Sequence, residues 1–203
     1  MKQLNGYANA KAPSSKYIQP GVYKCKILGV KEETGNWEDG TAYDRIAMQV
    51  DVAEGDFTDY FLNDYKSQTP EAGKDKFFKG MYRMDIPQET DKDYEKKLGR
   101  FKQQIEYIEA QNSGYTWDWN EQTLKGKYCY VAFGYVHNTK TNKWYLNARR
   151  IVKDVEDDYF TQDYSSTGAV RDTSSKKKKG TDAEKVDGYM HSTAGLADEL
   201  PFN

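Results

Sequence analysis

The residues of this chain best fitted to recognition chemistry are flat rings and cations that alternate along short runs. Lys24 and Lys26 share one face of such a run, as do Tyr43 and Arg45, Tyr128 and Tyr130, and Tyr145 and Arg149. Trp37 stands in a turn-rich stretch and Trp144 opens the last run. Exposed rings stack on nucleobases or on sugar rings, and cations beside them meet phosphates. A stacked base is worth about 1–3 kcal/mol, so three or four rings would supply about 3–12 kcal/mol before ordering costs. The composition runs the same way: 17 Tyr stand against 8 Phe, with 4 Trp. A tyrosine ring packs while its hydroxyl stays wet, so an excess of Tyr suggests aromatic surface as well as aromatic core.

Other chemistries find few residues. The chain has two histidines, His137 and His191, too few for a histidine metal cluster or a Ser-His-Asp set. No Gly-x-x-x-x-Gly-Lys-Ser/Thr phosphate loop occurs. Asp44, Asp51, Asp85 and Glu95 have no spacing that compels a metal-binding cluster. Cys25 and Cys129 read as small core residues on strands, too few for a disulfide scaffold or a thiolate zinc site. The expectation is a protein that is not an enzyme and holds no metal or cofactor.

The elements that position these residues follow from periodicity. Residues 1–20, with Pro13, Ser14, Ser15 and Pro20, read as a flexible arm. Alternation predicts strands over 21–30, 43–52, 127–136 and 144–152. Phe57–Leu62 reads as a third strand, joined to the second by a Glu54-Gly55-Asp56 hairpin. Residues 77–86 fit a strand or a helical turn equally. Tyr94, Leu98, Phe101, Ile105 and Ile108 make one stripe at helical period, with Asp91 and Asp93 before it and Ser113-Gly114 as a stop. His137–Asn142 reads as a hairpin loop. Three strands, one helix and a closing hairpin is the order of a five-stranded, antiparallel OB-like barrel with its helix between strands 3 and 4. The expected fold is therefore mainly β, and the expected ligand-flanking loops are 31–42 with Trp37 and 137–143 running into Trp144.

The 203 residues carry 30 Lys or Arg and 32 Asp or Glu, a net charge of −2. Eleven acidic and six basic residues fall in 154–203, a net −5, which leaves +3 on residues 1–153. A mildly basic body and an acidic tail fit an anionic partner with a competing anionic segment. From Asp154 onward aliphatic residues thin out and a Lys176–Lys179 run appears, so the segment is expected to be disordered. No run approaches the ~20 apolar residues of a membrane span, and no signal segment is visible, so a cytoplasmic protein is expected.

The chain closes on Ala197-Asp198-Glu199-Leu200-Pro201-Phe202-Asn203. An OB-like body, a polar linker and this tip together resemble the single-stranded DNA-binding proteins of bacteria and their phages. The resemblance implies nonspecific single-stranded DNA binding and protection in replication and recombination within a bacterial host cell. It also implies that Asp198, Glu199, Leu200, Pro201 and Phe202 dock on partner enzymes, Phe202 as anchor and the acids as guides. Asn203 departs from the pattern, since the family tip usually ends in Phe. On this reading the body spans 21–153, the tail 154–203, and the DNA face comprises Lys24, Lys26, Trp37, Tyr43, Arg45, Tyr128, Tyr130, Trp144, Tyr145 and Arg149. A carbohydrate-binding barrel and a strand-annealing protein are the alternatives.

Overall fold

A computed structural model describes residues 17–37, 40–70 and 72–173. The first 16 residues, the Lys176–Lys179 run, His191 and the 198–202 tip lie outside the described residues. Five strands form one antiparallel sheet: β1 (Gly21–Asn36), β2 (Ala42–Val52), β3 (Met81–Asp85), β4 (Tyr128–Asn138) and β5 (Lys143–Val152), in the spatial order β3-β2-β1-β4-β5. A short helix α1 (Tyr60–Ser67) follows β2, and a long helix α2 (Tyr94–Gln111) lies between β3 and β4. The sheet is open: no ladder joins its edge strands β3 and β5 among the described residues. One side-chain bridge spans them, because the Tyr82 hydroxyl of β3 meets Gln104 of α2 and the backbone of Ile151 in β5.

Strand β1 organises the sheet. Its first half, Gly21–Lys26, pairs with β4, and Cys25–Asn36 pairs with β2 across a bulge between Ile27 and Gly29. The strand therefore outruns the expected 21–30 and turns the predicted 31–42 loop into a long hairpin. Trp37 sits at its tip, where its N–H donates to Thr41 and its carbonyl accepts from Gly40. The inward residues of every strand meet in one core: Cys25 and Ile27; Ile46, Met48, Val50 and Val52; Tyr82 and Met84; Cys129, Val131 and Phe133; Leu146 and Ile151. Helix α2 adds Phe101, Ile105 and Ile108, as its stripe predicts, whereas Leu98 at 37% exposure runs past the core edge.

The third strand lies elsewhere than expected. Phe57–Leu62 is not a strand, and Glu54-Gly55-Asp56 is not a hairpin. The chain instead makes a 3-10 turn over Gly55–Phe57 and then α1. The cause is Asp51, whose buried carboxylate accepts from the N–H groups of Phe61 at 2.9 Å, Leu62 at 2.8 Å and Val52 at 2.8 Å. Helix α1 has no side-chain cap of its own at Asp59. Asp51 answers two of its orphan donors from the neighbouring strand. Phe61 and Tyr65 then pack on Phe78, and Phe61 stacks on Phe133 with centroids 5.4 Å apart. The place of the third strand falls to Met81–Asp85, within the 77–86 stretch that periodicity left undecided.

Order also continues beyond β5. Residues 154–173, expected to belong to a disordered tail, lie instead against β4 and β5 as a strap. Tyr164 bridges Val136 in parallel: its N–H donates to Tyr135 and its carbonyl accepts from His137. This edge of β4 is open because β1 begins opposite Phe133. Arg149 ties the strap down through the carbonyls of Gln162 at 2.7 Å and Phe160 at 3.2 Å.

Candidate functional site

Register places the candidate residues on a common face. Val50, Val52, Met48 and Ile46 of β2 point into the core, so Asp51, Gln49, Ala47, Arg45 and Tyr43 point to the other side. Lys26 lies opposite Asp51 and also opposite Tyr128, and Lys24 lies opposite Tyr130. Beyond the bulge, Lys31, Glu33 and Gly35 lie opposite Ala47, Arg45 and Tyr43. From β3, Arg83 and Asp85 lie beside Ala47 and Arg45. The bulge in β1 shifts its alternation by one residue, which brings Lys24, Lys26, Lys31 and Glu33 onto one surface.

Two ring clusters stand at the ends of this surface. At one end the exposed Tyr128 ring has two ammonium groups near it, Lys24 Nζ and Lys26 Nζ, each 5.9 Å from the ring centroid. Its backbone is clamped by Asn112, the residue that closes α2: Nδ2 donates to the Tyr128 carbonyl at 2.8 Å, and Oδ1 accepts from its N–H at 2.9 Å. Lys24 also meets Glu54 at 3.4 Å. That pair is solvent-exposed and contributes little, so the ammonium can be redirected at small cost. Tyr130 is half-buried between Lys24 and Val152.

At the other end Trp37, 49% exposed, leans on Tyr43 with centroids 4.9 Å apart. Tyr43 lies over Gly35, where a Cβ would fall 2.7 Å from the tyrosine hydroxyl, so the approach requires glycine. The Arg45 guanidinium sits 4.3 Å from the Tyr43 centroid and 5.6 Å from that of Trp37. Arg45 is only 6% exposed and bonds Glu33 Oε2 at 2.8 Å, the oxygen that Arg83 also meets at 3.0 Å. Its role is therefore to brace the two rings from below. The expectation of an outward phosphate contact at Arg45 is corrected by this burial.

No protein-family model matches this chain, and no curated protein does.

The remaining expected residues divide differently. Tyr145, expected to face outward, is buried with its hydroxyl 3.1 Å from Thr141 Oγ1. Arg149 is covered by the strap; its guanidinium lies 5.0 Å from the Tyr164 centroid, and burial holds its pKa below the ordinary arginine value. Trp144 is half-buried against His137, with ring centroids 5.1 Å apart, at the far end of the β4–β5 hairpin. The structure thus brings Lys24, Lys26, Tyr128 and Tyr130 together, and separately Trp37, Tyr43 and Arg45. Trp144, Tyr145 and Arg149 lie apart from both groups.

Two residues that support the clusters, Arg83 and Asn112, carry no local signal of that role, and Trp119 stands apart as an exposed ring. Arg83 was hidden in a stretch whose element was ambiguous. Asn112 carries a cap signal at the end of the α2 pattern, but nothing local reveals that it reaches Tyr128. Trp119 is 77% exposed and takes a left-handed backbone with φ of 65°, held by Asp118, which accepts from Asn120 N–H and from Thr123 Oγ1. The two cysteines face each other across β1 and β4, fully buried. Burial pushes the Cys129 thiol up to about 12 and the Cys25 thiol well above its ordinary value. Among the described residues no group of three or more His, Cys, Asp or Glu stands close enough to hold a metal ion, and no helix is long and apolar enough to cross a membrane.

Proposed function

We propose that this protein binds single-stranded DNA, without strong sequence preference, on the outer face of an OB-like body. The observation that carries the reading is Tyr128, an exposed ring whose backbone is clamped by Asn112 and whose centroid lies 5.9 Å from each of two lysine ammonium groups. A base stacked on that ring places its 5′ and 3′ phosphates within reach of the two cations, and the ring gains further from cation–π contact, about 0.5–1 kcal/mol at an exposed site. The strand order β3-β2-β1-β4-β5, with α2 between β3 and β4, supports the OB-like reading, since joining β3 to β5 would complete that barrel. By the same resemblance, the tail would recruit replication and recombination enzymes through residues 198–202 in a bacterial cytoplasm.

The test is a titration of the full chain with oligo-dT, followed by intrinsic fluorescence at several salt concentrations. Binding should weaken with a log–log slope of about −0.7 per phosphate contacted. Tyr128→Ala should lose about 1–3 kcal/mol of affinity. Lys26→Ala should lower the slope by about 0.7. Binding that ignores salt, or a folded Tyr128→Ala protein with unchanged affinity, would remove this face from consideration. Salt-insensitive binding of an oligosaccharide instead would favour the sugar-binding alternative.

A further inference from the structure

We infer that the outer face holds two separate base-stacking subsites, one at Tyr128 and one at Trp37, and that a single strand must be long enough to reach both before it binds tightly. The inference rests on the single-stranded DNA reading above and adds to it a length requirement. Strand β2 runs without a bulge from Asp51, whose register neighbour Lys26 adjoins Tyr128, to Tyr43, which supports Trp37. Eight residues separate Asp51 from Tyr43, which at the strand rise of ~3.3 Å is about 26 Å.

The strip between them carries no exposed ring. Its outward residues are Gln49 and Ala47 of β2, both buried, with Gly29 and Lys31 of β1 beside them and Arg83 of β3 opposite Ala47. With those two buried, the strip presents Gly29, Lys31 and Arg83, each half-buried, and no ring, so a strand crosses it through its sugar–phosphate backbone rather than through stacked bases. At about 3.4 Å per stacked nucleotide, the span corresponds to about eight nucleotides, and to fewer when the strand is stretched. Once one end is stacked, the second contact is intramolecular. Tethering of this kind raises affinity by about 10²–10⁴ when the length matches the span.

The experiment compares the full-length protein with dT4 and dT12 at one salt concentration, by fluorescence anisotropy of end-labelled oligomers. A face with one subsite of about four nucleotides favours dT12 only by the number of registers it offers, about ninefold. Two linked subsites predict a ratio of at least about 100-fold. In Trp37→Ala, and separately in Tyr128→Ala, the ratio should fall toward ninefold. The double variant should lose no more of the length advantage than either single one. Trp37 is at an exposed hairpin tip, and matching far-UV circular dichroism confirms that the variant is folded. A wild-type ratio of tenfold or less, with both oligomers bound, overturns the two-subsite inference and leaves DNA binding standing. Binding of neither oligomer overturns the functional reading itself.

Discussion

Replacing Asp51 by alanine tests whether one buried carboxylate sets the path of the chain after β2. Asp51 is 1% exposed and receives three backbone N–H bonds, two of them wholly buried. Alanine leaves these donors without their acceptor. Each buried donor left unpaired costs about 1–3 kcal/mol, so the two wholly buried donors alone should cost about 2–6 kcal/mol. Against a typical stability of about 5–15 kcal/mol, that is enough to bring the protein near unfolding. Asp51→Asn keeps one acceptor oxygen and should cost less, about 1–3 kcal/mol. Urea denaturation followed by far-UV circular dichroism gives both values, and hydrogen exchange at Phe61 and Leu62 localises the effect to α1. The pH dependence carries a definite sign. Desolvation raises the Asp51 pKa, and the three donors oppose this without outweighing it. The folded state then holds its proton more readily than the unfolded chain. The stabilisation is complete below the ordinary aspartate value of about 3.9 and is lost as pH rises through the raised folded value. The stability advantage of wild type over Asp51→Asn should therefore shrink between pH 3.5 and the neutral range. A folded Asp51→Ala protein within 1 kcal/mol of wild type, with Phe61 and Leu62 still protected, would refute the anchoring role.

Other perturbations read other parts of the molecule. Glu33→Ala strands the Arg45 guanidinium at a site 6% exposed; thermal or urea melting should show a loss of about 3–5 kcal/mol, and Trp37 fluorescence should shift as its support loosens. Asn112→Ala removes two hydrogen bonds to the Tyr128 backbone; stability should fall by about 1–3 kcal/mol, with faster amide exchange at Tyr128. Gly134→Ala puts a Cβ 2.7 Å from the Phe160 carbonyl, so the strap should lift and residues 159–164 should exchange faster while the core stays protected. Cys25 and Cys129, buried with raised pKa values, should resist a thiol reagent at neutral pH until denaturant is added; labelling of the native protein at the rate of a free thiol contradicts that burial.

Much of the fold was legible because its signals are local. Alternation in 21–30, 43–52, 127–136 and 144–152 reports which residues share a pleat face, and the 94–108 stripe reports a helix face. These patterns arise within a few residues, and no distant contact is needed to read them. The rings and lysines at 24, 26, 128 and 130 were legible for the same reason. What happened after Val52 was not local. Phe57–Leu62 has the composition of a strand, yet Asp51, Phe78 and Phe133 from other elements supply the acceptor and the aromatic surfaces that make a helix there more favourable. Arg45 alternates outward like Tyr43, but Glu33, twelve residues earlier, and Arg83 on another strand close over it. Tyr145 fails as a surface residue because the hairpin turn buries it, and Arg149, half-buried, is engaged by the carbonyls of the strap. Periodicity names the face a side chain takes. Whether that face meets water depends on what the rest of the chain lays across it.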